Sequence, residues 1–303
     1  MELEQLQPIV PGMFLLPAED NGRFPRSHCI VVRGETEALI DAGCGIERLR
    51  ALRERWTPEL VIASHSHPDH VGGLWLFDDC RIFSPSQHSE IFWRFDPQSQ
   101  RLTEPGEIAK QWIEFVTQAT GVREVGFTDL YDDGHEFQLG RIKLQAIHAP
   151  GHLDDAYVFF EPHHGVALTF DIDLTGFGPW YGHRECDIDQ MLDAIELVRA
   201  LKPKLVVSSH KGIVRDDIDG RLVRYAAVID QRDARLIELL RNPQTLDQLV
   251  EQSPIYGGFP YAPLVMRYWE RQMIDKHLAR LHQRGLVVRQ GDSWATAPRG
   301  GRS

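Results

Sequence analysis

Leu60-Val61-Ile62-Ala63-Ser64-His65-Ser66-His67-Pro68-Asp69-His70-Val71-Gly72-Gly73 is the stretch on which the reading of this chain turns. Its first residues form a short apolar run that reads as a buried strand (Leu60 to Ala63). Four potential metal ligands, His65, His67, Asp69 and His70, then crowd into the loop that leaves the strand. Imidazole and carboxylate are ligands that zinc, iron and manganese accept, and a strand end holds the base of such a loop still. The side chains at 65 and 67 can share one ion while 69 and 70 turn toward a second. The alternative, an exposed His-rich turn, is a poor account of so many ligand types ahead of Gly72-Gly73 and a helix expected over Val71 to Phe77.

Two ions need more ligands than one loop supplies, and three further candidates close later strands. His152 follows Ile142 to Ile147 in the turn Ala149-Pro150-Gly151-His152, Asp171 ends Val166 to Phe170, and His210 follows Leu205 to Ser208. Strand ends are where a rigid scaffold presents functional side chains. Asp173, two residues on, competes with Asp171 for a bridging role; Asp171 is preferred because it closes the apolar run. His148 reads as a strand residue or a partner to a ligand. His28, His88, His135, His163, His164, His277 and His282 have no ligand-like context and are taken as surface or packing residues.

Further strands are expected at Cys29 to Arg33, Ala38 to Ile40, Arg81 to Ser84 and Ala156 to Phe160. Helices are expected at Glu104 to Thr120 and at Ile188 to Leu201, the latter capped by Asp187. Strands and helices in alternation favour sheets inside and helices outside. The character changes between Val214 and Arg221, giving a division into residues 1–217 and 218–303. In the second part, Leu236 to Leu240, Leu246 to Val250 and Tyr268 to Arg284 read as helices. Leu286 to Val288 and Trp294 to Thr296 flank the turn Gln290-Gly291-Asp292, an order that suits a small winged-helix module.

The 303-residue chain is long enough for one large domain and an appendage without disulfide staples. Its four cysteines, Cys29, Cys44, Cys80 and Cys186, form no Cys-x-x-Cys pair and read as small buried residues. The N-terminus carries acids where a signal peptide carries bases, and no apolar run approaches a membrane span, so a cytoplasmic protein without membrane contact is expected. A net charge of -11 disfavours polyanionic partners, yet it is uneven: residues 1–229 hold 22 Lys/Arg against 36 Asp/Glu, and residues 230–303 hold 11 against 8. Arg267, Arg271, Lys276, Arg280 and Arg284 recur along one helix. A nucleic-acid face is one reading of them, a solvated helix face the preferred one.

The motif His65-x-His67-x-Asp69-His70, with His152, Asp171 and His210 in order and Asp41 in Leu39-Ile40-Asp41-Ala42-Gly43, resembles the metallo-β-lactamase superfamily over roughly residues 9 to 215. The resemblance implies an α/β, four-layer αβ/βα sandwich with its site along one edge of two sheets. It implies that His65, His67 and His152 bind one metal, that Asp69, His70 and His210 bind the other, and that Asp171 bridges them. Two divalent ions are expected, zinc first, with iron or manganese as alternatives. The ligand set is similar to that of glyoxalase II-like thioesterases, lactonases and the superfamily's nucleases, although His152-Leu153-Asp154-Asp155 lacks the Thr-x-Gly usual after that histidine in glyoxalase II. The position of the C-terminal module resembles a branch with members that act on RNA.

The expected reaction is attack of a metal-bridging hydroxide on a thioester, ester or lactone carbonyl, with Asp69 as the catalytic proton carrier. A phosphodiesterase or ribonuclease using the basic C-terminal helix, and a mononuclear-iron persulfide dioxygenase, are the alternatives. The partner expected is a small molecule; nucleic acid is possible but not favoured, and a homodimer is a further possibility. In the loop Gly176-Phe177-Gly178-Pro179-Trp180-Tyr181-Gly182-His183, Tyr181 and His183 are the candidate substrate contacts.

Overall fold

In the computed structural model, which describes residues 6–298, seven short strands form a first sheet in chain order. They are β1 (Gln7–Val10), β2 (Met13–Leu16), β3 (Cys29–Val32), β4 (Ala38–Ile40), β5 (Leu60–Ile62), β6 (Arg81–Pro85) and β7 (Asp129–Tyr131). The second sheet contains β8 (Glu136–Leu139), β9 (Ile142–His148), β10 (Tyr157–Glu161), β11 (Val166–Phe170), β12 (Leu205–Ser208) and β13 (Gly212–Val214). Its spatial order is β13-β12-β11-β10-β9-β8. From β4 to β7 the first sheet is parallel, and in the second sheet β11 and β12 are parallel. Parallel neighbours need a crossover, and helices α1 (Ile46–Arg53) and α5 (Ile188–Ala200) supply two of them.

The layering follows from side-chain alternation. In β3, Ile30 and Val32 join a core between the sheets with Met13, Phe159 and Leu168, whereas Cys29 and Val31 face the other way. There they meet Leu49 and Leu52 of α1, Val71 of the single turn α2 (Pro68–Val71), Leu102 of α3 (Phe95–Leu102), and Trp112 and Val116 of α4 (Glu107–Thr120). On the far side, Val158, Ala167 and Val206 pack against Met191, Ala194, Ile195 and Val198 of α5. Helix, sheet, sheet and helix thus stack as the α/β sandwich expected, and strands such as β3, β5 and β11 are buried on both faces because both are covered. Asp187 caps α5 by accepting from the Gln190 N–H at 2.9 Å.

The helix expected over 71–77 is instead α2 followed by a separate 3-10 turn at Leu74–Phe77. Gly72 and Gly73 break it where the backbone must come close to its neighbours. A Cβ on Gly73 would lie 2.1 Å from Leu49 Cδ1 and 2.8 Å from the Ala42 carbonyl.

From residue 218 the chain runs α6 (Ile218–Leu239), β14 (Gln244–Thr245), α7 (Leu246–Gln252), α8 (Pro263–Gln283), β15 (Val287–Gln290) and β16 (Ser293–Thr296), with the strands ordered β14-β16-β15. This part keeps a small core of its own, including Leu236, Leu249, Leu278 and Val287. The first half of α8 does not belong to it. Val265, Met266, Trp269 and Met273 pack into the helix layer over the first sheet, and Leu222 and Tyr225 of α6 pack beside α5. All four cysteines are buried and unpaired. No helix among the described residues is long and apolar enough to cross a membrane.

Candidate metal centre

The C-terminal ends of β4, β5, β9, β11 and β12 meet at one edge of the two sheets and deliver the candidate ligands there. Donor atoms of His65, His67, His152 and Asp171 lie within 4.8 Å of one another, as do those of Asp69, His70 and His210. Asp171 faces both groups. One carboxylate oxygen is 2.9 Å from His152 Nε2 and the other is 2.9 Å from His70 Nε2 and 3.5 Å from His210 Nε2. Asp173 is committed elsewhere, its carboxylate accepting from the Thr175 N–H at 2.9 Å.

The outward nitrogens fix the inward ones. His152 Nδ1 meets the Trp180 carbonyl at 3.0 Å, His210 Nδ1 the Gly22 carbonyl at 2.7 Å and His70 Nδ1 the Asp41 carboxylate at 2.7 Å. Each Nδ1 is thereby a donor, and each Nε2 faces inward. His67 Nδ1 stands 2.7 Å from His152 Nε2, so these two rings converge on one point. His65 Nε2 is buried without a hydrogen-bond partner, and His70 Nε2 and one oxygen of Asp171, although 2.9 Å apart, are buried without a formed hydrogen bond. Buried polar atoms are ordinarily satisfied, and a cluster of orphaned imidazole and carboxylate atoms is what a divalent cation completes. The residues present therefore fit such ions.

Electrostatics agree. Burial, reinforced by neighbouring imidazoles, holds His65 and His67 well below the ordinary histidine range and so neutral at pH 7. Burial also opposes charge on His210, but the Asp171 and Asp69 carboxylates outweigh it and push that ring up to about 10. Metal-free, the centre offsets its carboxylates with protons; cations at the same point displace them, so binding releases protons.

Two frames hold the loop. Asp41, in a left-handed conformation (φ 58), accepts from the Ser64 N–H and Oγ at 2.8 Å each, and Ser64 Oγ lies 2.9 Å from His65 Nδ1. Gly43 permits the Asp69 carbonyl to pass where a Cβ would lie 1.6 Å from it. On the other side, buried Arg101 donates to Ser66 Oγ at 2.9 Å and to Asp155 at 3.0 Å, and grips Glu185 with a second pair of bonds. Ser66 sits between the candidate ligands His65 and His67, and Gln98 and Trp93 bind its hydroxyl and carbonyl as well. Nothing in the spacing of Arg101, Asp155 and Glu185 marks them in the sequence.

Five of the candidate ligands, His67, Asp69, His152, Asp171 and His210, form the floor of a cavity of about 1010 Å³. Of the two candidate substrate contacts, His183 lines it, with its ring 5.0 Å from His67. Tyr181 is a correction: it is fully buried, and its hydroxyl accepts from Arg232 at 2.9 Å and lies 2.7 Å from His277 Nε2. Trp180 lines the cavity, whereas Tyr181 lies between α6 and α8. His277, read as packing, holds Asp233 with its other nitrogen at 2.6 Å. Tyr181→Phe is therefore expected to cost about 1–2 kcal/mol in denaturant melts while leaving the KM of a cleaved substrate within about twofold. A KM raised tenfold with unchanged stability would put the hydroxyl on the substrate.

The cationic stripe of α8 is largely committed within the chain. Arg267 pairs with Glu251, Arg271 with Asp247, Arg280 with buried Asp233, and Lys276 donates to the His183 carbonyl at 2.7 Å.

Comparison with known proteins agrees with this geometry. The model of the family described as the metallo-beta-lactamase superfamily matches residues 22–210. The acyl-coenzyme A thioesterase MBLAC2 of Bos taurus is 26% identical over 174 residues, which are 50% of this chain and 60% of that protein's length. The probable metallo-hydrolase YybB of Bacillus subtilis (strain 168) is 23% identical over 199 residues, covering 62% of this chain and 81% of that protein. Among solved structures, the metallo-beta-lactamase family protein TTHA1429 from Thermus thermophilus superposes with a TM-score of 0.72 at 21% identity, over 95% of this chain and 100% of that one.

Proposed function

The chain belongs to the metallo-beta-lactamase superfamily, and on that premise we propose that it is a metallo-hydrolase holding two divalent ions and cleaving thioesters, with simple esters and lactones as lesser substrates. The observation that carries this reading is the Asp171 carboxylate, set between two groups of imidazole and carboxylate donors, of which the buried His65 Nε2 and His70 Nε2 form no hydrogen bond. His65, His67, His152 and Asp171 would hold one ion, and Asp69, His70, His210 and the other oxygen of Asp171 the second, with zinc the first choice for such nitrogen and oxygen ligands. Bound divalent ions supply a nucleophilic water at neutral pH and polarise the carbonyl under attack.

The side chains do the rest. His152 and His210, fixed by their bonds to main-chain carbonyls, keep the donor set in one geometry through the reaction. Asp69, buried on the cavity floor, takes the proton released as water adds to the carbonyl carbon. It returns that proton to the departing sulfur or oxygen, leaving a carboxylic acid and a thiol or alcohol. No protein nucleophile is needed.

The thioester choice is supported by the likeness to MBLAC2, whose name is that of an acyl-coenzyme A thioesterase, and by the paired cations of α8, which leave little for a phosphate backbone. We read residues 1–217 as the catalytic domain and 218–303 as a winged-helix-like module whose element order is α6, β14, α7, α8 and the β15–β16 hairpin. Initial rates of the metal-loaded protein on an acyl-coenzyme A, an acyl-glutathione, an acyl-homoserine lactone and a bis-aryl phosphodiester test the proposal. Chelator-sensitive thioester turnover is expected to lead the panel. Turnover of the phosphodiester alone would replace this reading with the nuclease.

A further inference from the structure

We infer that residues 256–269 of the C-terminal part, together with Trp180, set the acyl specificity of the site by forming a preformed chamber for a medium- or long-chain apolar acyl group. The chemistry of this inference rests on the proposed thioesterase reading; its geometry does not.

The cavity has two unlike ends. Its floor is imidazole and carboxylate, and charged Asp20 and Arg23 also line it, Arg23 close enough to Tyr261 to act on its hydroxyl. The wall contributed by the C-terminal part is Tyr256, Gly258, Pro260, Tyr261, Met266 and Trp269, without a charge among them. Trp180 joins floor to wall. Its ring is 5.5 Å from His67 and 5.6 Å from His152 on one side and 5.5 Å from Trp269 on the other, and its Nε1 donates to the Tyr256 hydroxyl at 2.5 Å. Apolar surface therefore begins directly beside the imidazoles, where the carbon chain next to a scissile carbonyl would lie. About 1010 Å³ is far more room than an acetyl group fills.

The wall is braced rather than loose. Glu270, completely buried in α8, accepts from the Ile255 and Tyr256 N–H groups at 2.9 and 3.0 Å, and Ser253 Oγ accepts from the Gly258 N–H at 3.0 Å. Phe24 packs edge-on against Trp269 at 6.0 Å and Phe177 lies 5.4 Å from Tyr256. A fixed apolar wall binds apolar matter without a cost of ordering on association.

Two series test this on the full metal-loaded chain. The first is binding of straight-chain carboxylates from acetate to dodecanoate, read by quenching of tryptophan fluorescence. The second is kcat/KM on the matching acyl-coenzyme A thioesters. Both are expected to climb with chain length, by up to about fourfold per methylene and by at least about a hundredfold from acetyl to octanoyl. Met266→Trp, which fills the chamber, is expected to flatten both series. Tyr261→Ala, at a position 45% exposed whose ring stacks on Phe115, is expected to weaken octanoate severalfold and leave acetate unchanged. Thioester cleavage with a flat series overturns the inference and spares the thioesterase reading. Rising affinity without cleavage of any thioester does the reverse. A rising series that neither substitution alters also overturns it, because the chain would then lie elsewhere.

Discussion

Asp171→Ala is expected to lower kcat/KM by about a thousandfold or more, since metal ions contribute several kcal/mol of transition-state stabilisation and each 1.4 kcal/mol is a factor of ten. The effect is large because this one carboxylate faces both donor groups, so on the two-ion proposal its loss would weaken both ions rather than one. Metal content should fall with activity, while the fold should survive, because the side chain contributes nothing to the apolar cores. Asp173→Ala is the matched control: its carboxylate caps a turn at Thr175, and the variant should keep its metal. If Asp171→Ala retained full metal and full turnover while Asp173→Ala lost both, the bridging role would pass to Asp173.

The largest effect on stability is expected at Arg101. Its guanidinium lies in a buried network with Asp155 and Glu185, whose side chains are 1% and 11% exposed. Arg101→Met removes the cation and leaves two carboxylates in a dry setting, a change that typically costs about 3–5 kcal/mol. Burial by itself already pushes Glu185 up, so the stranded carboxylates would take up protons and the loss should ease as pH falls. A second consequence distinguishes this network from a purely structural one. Ser66 would lose one of its anchors between His65 and His67, and metal affinity should drop by about ten- to a hundredfold. Melting curves at fixed metal concentration and chelator titrations measure the two effects separately; unchanged metal affinity would confine Arg101 to stability.

The candidate metal centre is legible in the sequence because its candidate ligands fall at the ends of strands that announce themselves. Val61-Ile62 and the runs 166–170 and 205–208 are apolar except for Thr169 and Ser208, as suits strands covered on both faces, and His67, Asp171 and His210 follow where the runs stop. Strands β1 and β2 are hidden because Pro8 and Pro11-Gly12 interrupt them, and α3 because Pro97 lies in its first turn. Helix α6 is one helix of 22 residues of which only the last turns show clear amphipathy, since it changes partners along its length, from Leu222 beside α5 to Leu236 in the C-terminal core. The Arg101 network and the cavity wall escape for another reason: they are made of residues far apart in the chain, and no local period records a contact across 54 or 84 positions. Tyr181 shows the limit at its finest grain. A glycine-rich loop has no periodicity to say which of two adjacent aromatic rings faces in, and the tie to Arg232 and His277 decides it.

The C-terminal part is not an independent appendage to the site. Trp269 and Met266 lie in the core of the first sheet's helix layer and in the cavity wall at once, so substitutions that loosen α8 should be felt at the metal floor. Tyr181, Arg232, Asp233 and His277 carry the mechanical link, from the loop beside His183 into α6 and α8.

The most direct test of the central claim is elemental analysis of the purified chain after equilibration with zinc and removal of loosely bound metal. Two ions per chain, falling below one in Asp171→Ala, is the result expected from two donor groups that share a carboxylate. One ion per chain, unaffected by replacement of Asp69 or His210, would contradict it, because the second donor group would then be no metal site at all.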